Sequence, residues 1–283
     1  MSQPTRIGIC APSTPFTRED ADRVMELARE SHDNCELIFA DQCFAEDGHF
    51  AGNDALRRKT FVAMANDPDL DAIWFVRGGY GAARMALDIS SELNDAADTK
   101  LYMGYSDAGN LLASLYRANI GTQAHGPMPT DIRRDGGEKA VRRALDWIVN
   151  RDLAALDPSL EPNHIYAAFN LMTLAMMTGT PLMPNLSGHV LMIEEVSEHL
   201  YAFDRAMFHI TSNLQNQKLA GLRLGQVTDI PENDRPFGEN AEDIARRWCR
   251  EHGIAFLGTA NIGHSANNMI VPFGNSDAWR TNG

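Results

Sequence analysis

From Arg6 to Ala118 the chain alternates short apolar runs with stretches whose apolar residues recur at helical spacing, and this restricts the fold more than any other feature. Residues 6–11 read as a strand ending at Pro12 and Ser13, and Thr17 with Asp20 has the form of a capping box ahead of Val24, Leu27 and Ala28. Residues 37–40 give a second strand, 54–66 a helix, 72–76 a third strand, and 101–105 a fourth that passes directly into a helix over 107–118. Such alternation predicts an α/β fold with a parallel sheet covered by helices on both faces. Ligands of open parallel sheets bind beyond the carboxyl ends of the strands, where the run Arg77, Gly78, Gly79, Tyr80, Gly81 and the residue Ser106 both fall.

A helix over 138–150 presents Ala140, Val141, Ala144, Leu145 and Ile148 on one face, and then the pattern changes. Asp157-Pro158 and Glu161-Pro162-Asn163 punctuate a polar connection. The expected organisation is an amino-terminal domain over 1–135, a connecting helix and linker over 136–164, and a second domain over 165–283. That second part holds an apolar strand at 190–193 ending in Glu194 and Glu195, a helix over 201–214, and a strand over 222–227. A turn-rich loop at 231–236, a helix over 240–252 and a strand over 254–257 follow. The 283 residues, 44% of them hydrophobic, suit two modest domains better than one large one.

The formal net charge of −13 opposes binding to nucleic acid or anionic lipid, both of which need clustered Lys and Arg. The first residues lack the apolar core of a signal peptide, and no run approaches the roughly 20 apolar residues of a membrane span, so a cytoplasmic location is expected. Cys10, Cys35, Cys43 and Cys249 show no C-x-x-C pairing and read as reduced, mostly buried thiols. Their spacing offers no zinc site, and neither a metal nor another cofactor is expected.

The strand, sharp turn and helix around Ser106 invite a nucleophile reading, because a serine on such a turn has its hydroxyl lifted above the sheet and the first helical N–H groups face a developing oxyanion. Ser106 equally suits an ordinary N-cap, and Ala108 stands where a hydrolase elbow carries Gly. Gly78, Gly79 and Gly81 either form a tight turn or aim an N–H at a substrate oxygen opposite the N–H of Asp107. A serine nucleophile needs a base, usually His, and an acid to orient it. Among nine histidines, His264 follows Gly263 at a strand-to-loop transition, His125 beside Gly126-Pro127 is a rival, and His209 has the spacing of a packed helical residue. Glu194 and Glu195 are both placed to supply the acid, and periodicity alone does not choose between them.

Four motifs then occur in a telling order: Val76-Arg-Gly-Gly-Tyr-Gly81, Gly104-Tyr-Ser-Asp107, Ile193-Glu-Glu-Val-Ser-Glu198 with Phe203-Asp-Arg205, and Gly263-His264. In that order and spacing the chain, from Ile9 to Pro272, resembles the LD-carboxypeptidase family of serine peptidases. The resemblance implies Ser106 as nucleophile, Glu194 as charge-relay acid and His264 as general base, with the backbone N–H groups of Gly79 and Asp107 as the oxyanion hole. It implies a flavodoxin-like amino-terminal domain, similar to class I glutamine amidotransferases, carrying Ser106. A smaller β-rich α/β carboxy-terminal domain would carry Glu194 and His264, and the site would lie between the two. The family commonly has Leu-Glu-Asp where this chain has Ile193-Glu194-Glu195, and Gly-Gly-Asn where it has Ala168-Phe169-Asn170, which implies a different cleft wall near Phe169.

Family members cut the bond between an L-configured centre, diaminopimelate or lysine, and the terminal D-alanine of tetrapeptides recovered from peptidoglycan. The expected partner is thus a small muropeptide tetrapeptide, handled by a homodimer in cell-wall recycling. A carboxypeptidase must also hold the free terminal carboxylate, for which Arg77 and Arg205 are the candidates. A second branch, similar to the microcin C immunity peptidases, hydrolyses peptidyl-adenylates; no distinctive aromatic loop for stacking adenine is evident in the sequence, which ranks it second. A binding protein without turnover is the reading from another class, and the co-occurrence of Ser106, Glu194 and His264 weighs against it.

Overall fold

In the computed structural model of the chain, which describes residues 3–276, two α/β sheets form, both dominated by parallel pairing. The first is built from β1 (Thr5–Cys10), β2 (Cys35–Phe39), β3 (Ala72–Phe75), β4 (Leu101–Gly104) and β5 (Thr122–His125). Between them run the helices α1 (Arg18–Ser31), α2 (Asp54–Ala65), the single turn α3 (Ala83–Ala86) and α4 (Gly109–Ala118). Every residue of β3 and β4 is buried, as expected of central strands with helices on both faces. Trp74 at the centre of β3 is fully buried and its indole N–H donates to the Pro127 carbonyl at 2.7 Å. Thr17 caps α1 by accepting from the N–H of Asp20, as its sequence position implies.

The long helix α5 (Gly137–Asn150) buries the apolar face read from its periodicity, together with Trp147. Beyond it a second sheet forms from β6 (Ile165–Asn170), β7 (His189–Val196), β8 (Gly221–Thr228) and β9 (Phe256–Thr259), with α6 (Leu171–Met177), α7 (Leu200–Leu214) and α8 (Ala241–Glu251). Two short strands close the described chain: β10 (Val271–Pro272) and β11 (Gly274–Asn275). Strand β10 pairs antiparallel with β5 of the first sheet, and β11 pairs antiparallel with β6 of the second. The final orders are β10-β5-β4-β3-β1-β2 and β11-β6-β7-β8-β9, so one segment joins the edges of both sheets. Residues 271–272, expected within the second domain, thus complete the first sheet.

Differences from the sequence reading have local causes. Strand β5, Thr-Gln-Ala-His, has no apolar run to announce it, and α6, Leu-Met-Thr-Leu-Ala-Met-Met, has no continuous polar face. The last strand of the second sheet begins at Phe256 rather than 254. Gly253 turns left-handed at φ +67°, and the N–H of Ile254 then donates to the Cys249 carbonyl at 2.9 Å, so this residue closes the end of α8 instead of opening the strand. Cys10, Cys43 and Cys249 are buried and all four cysteines are free thiols. Among the described residues no helix is long and apolar enough to cross a membrane.

Replacing Trp74 by Phe keeps most of the buried ring but leaves the Pro127 carbonyl without its donor. The expected loss is roughly 1–3 kcal/mol of folding stability. Urea unfolding should show it as a lower midpoint at unchanged slope.

Candidate active site

Ser106 follows β4 with φ +58°, a left-handed conformation that costs a non-glycine residue of order 1–3 kcal/mol. It does not act as a cap: the turn over Ser106–Ala108 has no side-chain cap, α4 starts from Ala108, and the Ser106 hydroxyl makes no hydrogen bond among the described residues. A strained serine whose hydroxyl is not used by the fold is what a nucleophile elbow requires. The neighbouring Asp107 is buried beneath it. Its Oδ2 accepts from Ser13 Oγ at 2.5 Å and from the Ala82 N–H at 2.8 Å, and its Oδ1 accepts from Asn110 Nδ2 at 3.1 Å. Burial raises the Asp107 carboxyl above its ordinary value, and these donors oppose the shift.

The glycine run packs directly on this elbow. A Cβ at Gly78 would lie 3.0 Å from both Cβ and Oγ of Ser106, so only glycine lets the two loops touch. The Gly78 carbonyl accepts from Thr14 Oγ1 at 2.8 Å. Because the peptide is trans and planar, that bond directs the Gly79 N–H the opposite way. Gly79 itself has φ +114° and a Cβ there would lie 2.7 Å from Thr14. The tight turn therefore fixes the orientation of the Gly79 N–H.

Glu194 and Glu195 are neighbours on β7, so their side chains leave on opposite faces. Glu195 accepts from Asn170 Nδ2 and the Met172 N–H, both at 2.8 Å, and from the Val196 N–H at 2.9 Å, which makes it a fixture of the amino end of α6. Burial holds its carboxyl above the ordinary range, against those donors. Glu194 is fully buried and its Oε2 meets His264 Nδ1 at 2.7 Å. A register shift in β8 puts Gly225 against Glu194, where a Cβ would lie 3.0 Å from that of the glutamate and 2.6 Å from Ile262. The loop bearing His264 is held by Asn268 Oδ1 accepting from the Gly263 N–H, and by Arg143 of α5 donating to the Ala266 and Asn268 carbonyls. The His264 ring lies 4.8 Å from that of Tyr105, the residue before Ser106.

His125 also neighbours Tyr105, ring centroids 5.4 Å apart, but is wholly buried with neither ring nitrogen hydrogen-bonded. It has no contact with a carboxylate comparable to that of His264. His209 lies on α7 with its carbonyl bonded to Asn213, and no contact joins it to Ser106 or Glu194. Arg77 is half-buried, donates to the Pro15 carbonyl at 3.1 Å and forms no direct ion pair among the described residues; burial, then Arg133, lowers its guanidinium below the ordinary value, against the opposing charge of Asp20. Arg205 is exposed on α7, stacked over Tyr201 at 5.8 Å, and nothing links it to the elbow. Phe169 is buried between Gly109 and Phe273, so it packs the joint of the two sheets and does not surface in a cleft. The supporting residues Ser13, Thr14 and Tyr105, with Asp131 accepting from the Tyr105 hydroxyl at 2.8 Å, carry no sequence signal of their role. Among the described residues no group of three or more His, Cys, Asp or Glu side chains is placed to share a metal ion.

Two family models match the chain: the LD-carboxypeptidase N-terminal domain over residues 7–126 and the LD-carboxypeptidase C-terminal domain over 167–276. A murein tetrapeptide carboxypeptidase from Pseudomonas aeruginosa is 28% identical over 243 residues, covering 80% of this chain and 78% of that protein. The crystal structure of a muramoyltetrapeptide carboxypeptidase from Oxalobacter formigenes superposes with a TM-score of 0.78 at 23% identity, covering 94% of this chain and 93% of that one. The microcin C7 self-immunity protein in complex with aspartyl sulfamoyl adenosine superposes with a TM-score of 0.80 at 18% identity, covering 97% and 92%.

Burial, only partly opposed by Glu194, pushes the His125 pKa down to about 4. An unfolded histidine titrates near ~6.5, so between the two values the unfolded chain binds the extra proton and stability falls as pH drops through that window. At ~1.4 kcal/mol per unit this is on the order of 3 kcal/mol. The Tm of the wild type should therefore decline more steeply from about pH 6.5 to 4 than that of His125→Gln. Parallel profiles would show that His125 is not held neutral.

Proposed function

The chain belongs to the LD-carboxypeptidase family, and from that premise we propose that it is a serine carboxypeptidase releasing the terminal D-alanine of peptidoglycan-derived tetrapeptides. The observation that carries the reading is the buried Glu194–His264 pair at 2.7 Å, beside an elbow whose strained Ser106 has its hydroxyl free of the fold. Ser106 Oγ attacks the carbonyl carbon of the scissile L,D bond while His264 Nε2 accepts its proton, and Glu194 stabilises the imidazolium through Nδ1–H. The N–H groups of Gly79 and Asp107 receive the oxyanion. Collapse of the tetrahedral intermediate breaks the C–N bond, His264 returns the proton to the departing D-alanine amine, and water activated by the same histidine hydrolyses the acyl-enzyme.

Arg77 is the better candidate for the terminal carboxylate, since it is one residue from the glycine run, half-buried and in no direct ion pair among the described residues, whereas Arg205 is remote by every contact it makes. The proposal includes a cytoplasmic homodimer acting in cell-wall recycling, with no cofactor. The microcin C7 self-immunity neighbour favours a second reading, cleavage of a peptide joined to a nucleotide.

The deciding assay offers the protein a muropeptide tetrapeptide and a peptidyl-adenylate and follows D-alanine and adenylate by mass spectrometry. D-alanine release that is insensitive to EDTA is expected; cleavage of the adenylate alone would transfer the protein to the second reading, and cleavage of neither would leave a binding protein.

Ser106→Ala and His264→Ala should each lower kcat by on the order of 10³ or more, and Glu194→Ala somewhat less. Since each member works through the others, the Ser106→Ala/His264→Ala pair should fall no further than the worse single variant. Multiplicative losses would break the triad assignment.

A further inference from the structure

Tyr80 is a large aromatic side chain left 55% exposed on a backbone that is clamped on both sides. Before it, the Gly78 carbonyl is bound by Thr14 and Gly79 packs on Thr14. After it, the Gly81 carbonyl accepts from Nη1 of the fully buried Arg57 at 2.9 Å, and the Ala82 N–H donates to Asp107. Gly79 and Gly81 have φ of +114° and +141°, so the segment leaves its sheet by a route that turns the intervening side chain outward. The position of this ring is thus specified by the same contacts that specify the Gly79 N–H.

A second segment completes a wall. Residues 47–50 form a tight turn, with Asp47 and Phe50 exchanging backbone bonds at 2.9 and 3.0 Å, and the next N–H, of Ala51, donates to the Ser13 carbonyl at 3.0 Å. The turn brings Phe50 to 6.1 Å and the exposed His49 to 6.3 Å from the Tyr80 ring. Phe50 already carries two cations, Arg57 at 4.8 Å and Arg84 at 4.6 Å from its centroid, and both are paired with Asp54. Glu46 and Asp47, at the start of the same turn, are exposed and have no ion-pair partner among the described residues. An exposed aromatic face beside a turn that carries unpaired carboxylates favours a cationic group on an aliphatic stem over an anionic or purely apolar one.

Building on the carboxypeptidase reading, we propose that Tyr80, backed by Phe50 and His49, is a specificity wall that receives the ammonium-bearing side chain of the substrate's diamino residue. The stem lies along the ring and the ammonium points to the turn of Glu46 and Asp47. The residue at that position of a tetrapeptide precedes the scissile bond, which fits a wall one residue from the oxyanion N–H.

The test uses two tetrapeptides, L-alanyl-γ-D-glutamyl-L-lysyl-D-alanine and its analogue with norleucine for lysine, which differ in the ammonium. Wild-type protein should show a KM about tenfold lower for the lysine peptide with kcat changed less than about threefold. Tyr80→Leu should lose that preference and Tyr80→Phe keep it, since the ring and not the hydroxyl makes the contact. Calorimetric titration of Ser106→Ala with the same peptides reads binding without turnover, and Tyr80 is exposed, so circular dichroism of its variants should match wild type. A preference that survives in Tyr80→Leu, or its absence in the wild type, overturns the proposal. Lysine-selective binding without D-alanine release in the wild type keeps the wall and overturns the reaction; neither binding nor release overturns both. Aspartyl sulfamoyl adenosine bound tightly by wild type and lost in Tyr80→Leu, with no lysine preference, would make the ring a nucleobase platform instead.

Discussion

The Asp107 carboxylate is the contact on which the rest of the site depends. It sits under the elbow and receives donors from three segments far apart in the chain: Ser13 after β1, Ala82 after the glycine run, and Asn110 in the first turn of α4. Charge-assisted bonds of this kind are stronger than neutral ones, and in a buried setting each donor lost leaves the carboxylate less compensated. The three loops at the carboxyl edge of the first sheet therefore hold one another, and the backward turn of Ser106 is sustained by this network rather than by its own preference.

A second constraint is that His264, the proposed base, follows β9 of the second sheet, whereas Ser106 follows β4 of the first. His264 approaches Tyr105 because β10 and β11 fasten the end of the described chain to β5 and β6 at once, while Arg143 grips the same loop from α5. Glu194 arrives from β7, and Gly225 leaves the room for it to lie beside Ile262. Catalytic groups held by strands and by an arginine clamp are positioned more tightly than loop residues could be alone. The joint between the sheets is thereby part of the site, and Phe169 fills that joint.

Some of the buried polar atoms without partners among the described residues lie here, namely both ring nitrogens of His125, Oε1 of Glu194 and Nδ2 of Asn268, while others are spread over the chain, from His32 to Asn233. Such groups lower stability.

Much was legible without coordinates. The helical and strand periods of the first half, the face of α5, the elbow after β4 and the glycine run at the end of β3 all follow from local pattern, because period and turn chemistry are local properties. The four-motif order likewise identified the family. Local pattern was silent on β5, whose Gln123 and His125 are polar yet buried, and on β10 and β11, two residues each, which exist only because an edge awaits them. It was equally silent on which of the two glutamates meets His264. Strand alternation guarantees that Glu194 and Glu195 face opposite ways, yet only the arrival of His264 on one face and of the amino end of α6 on the other makes one a partner of His264 and the other a helix fixture. The same holds for the wall of Tyr80, His49 and Phe50: the residues are ordinary in sequence, and their juxtaposition is a consequence of Arg57 and Ser13 tying two loops to one edge. Residue types and their periods are fixed along the chain, whereas partners are chosen by long-range packing, which no local window contains.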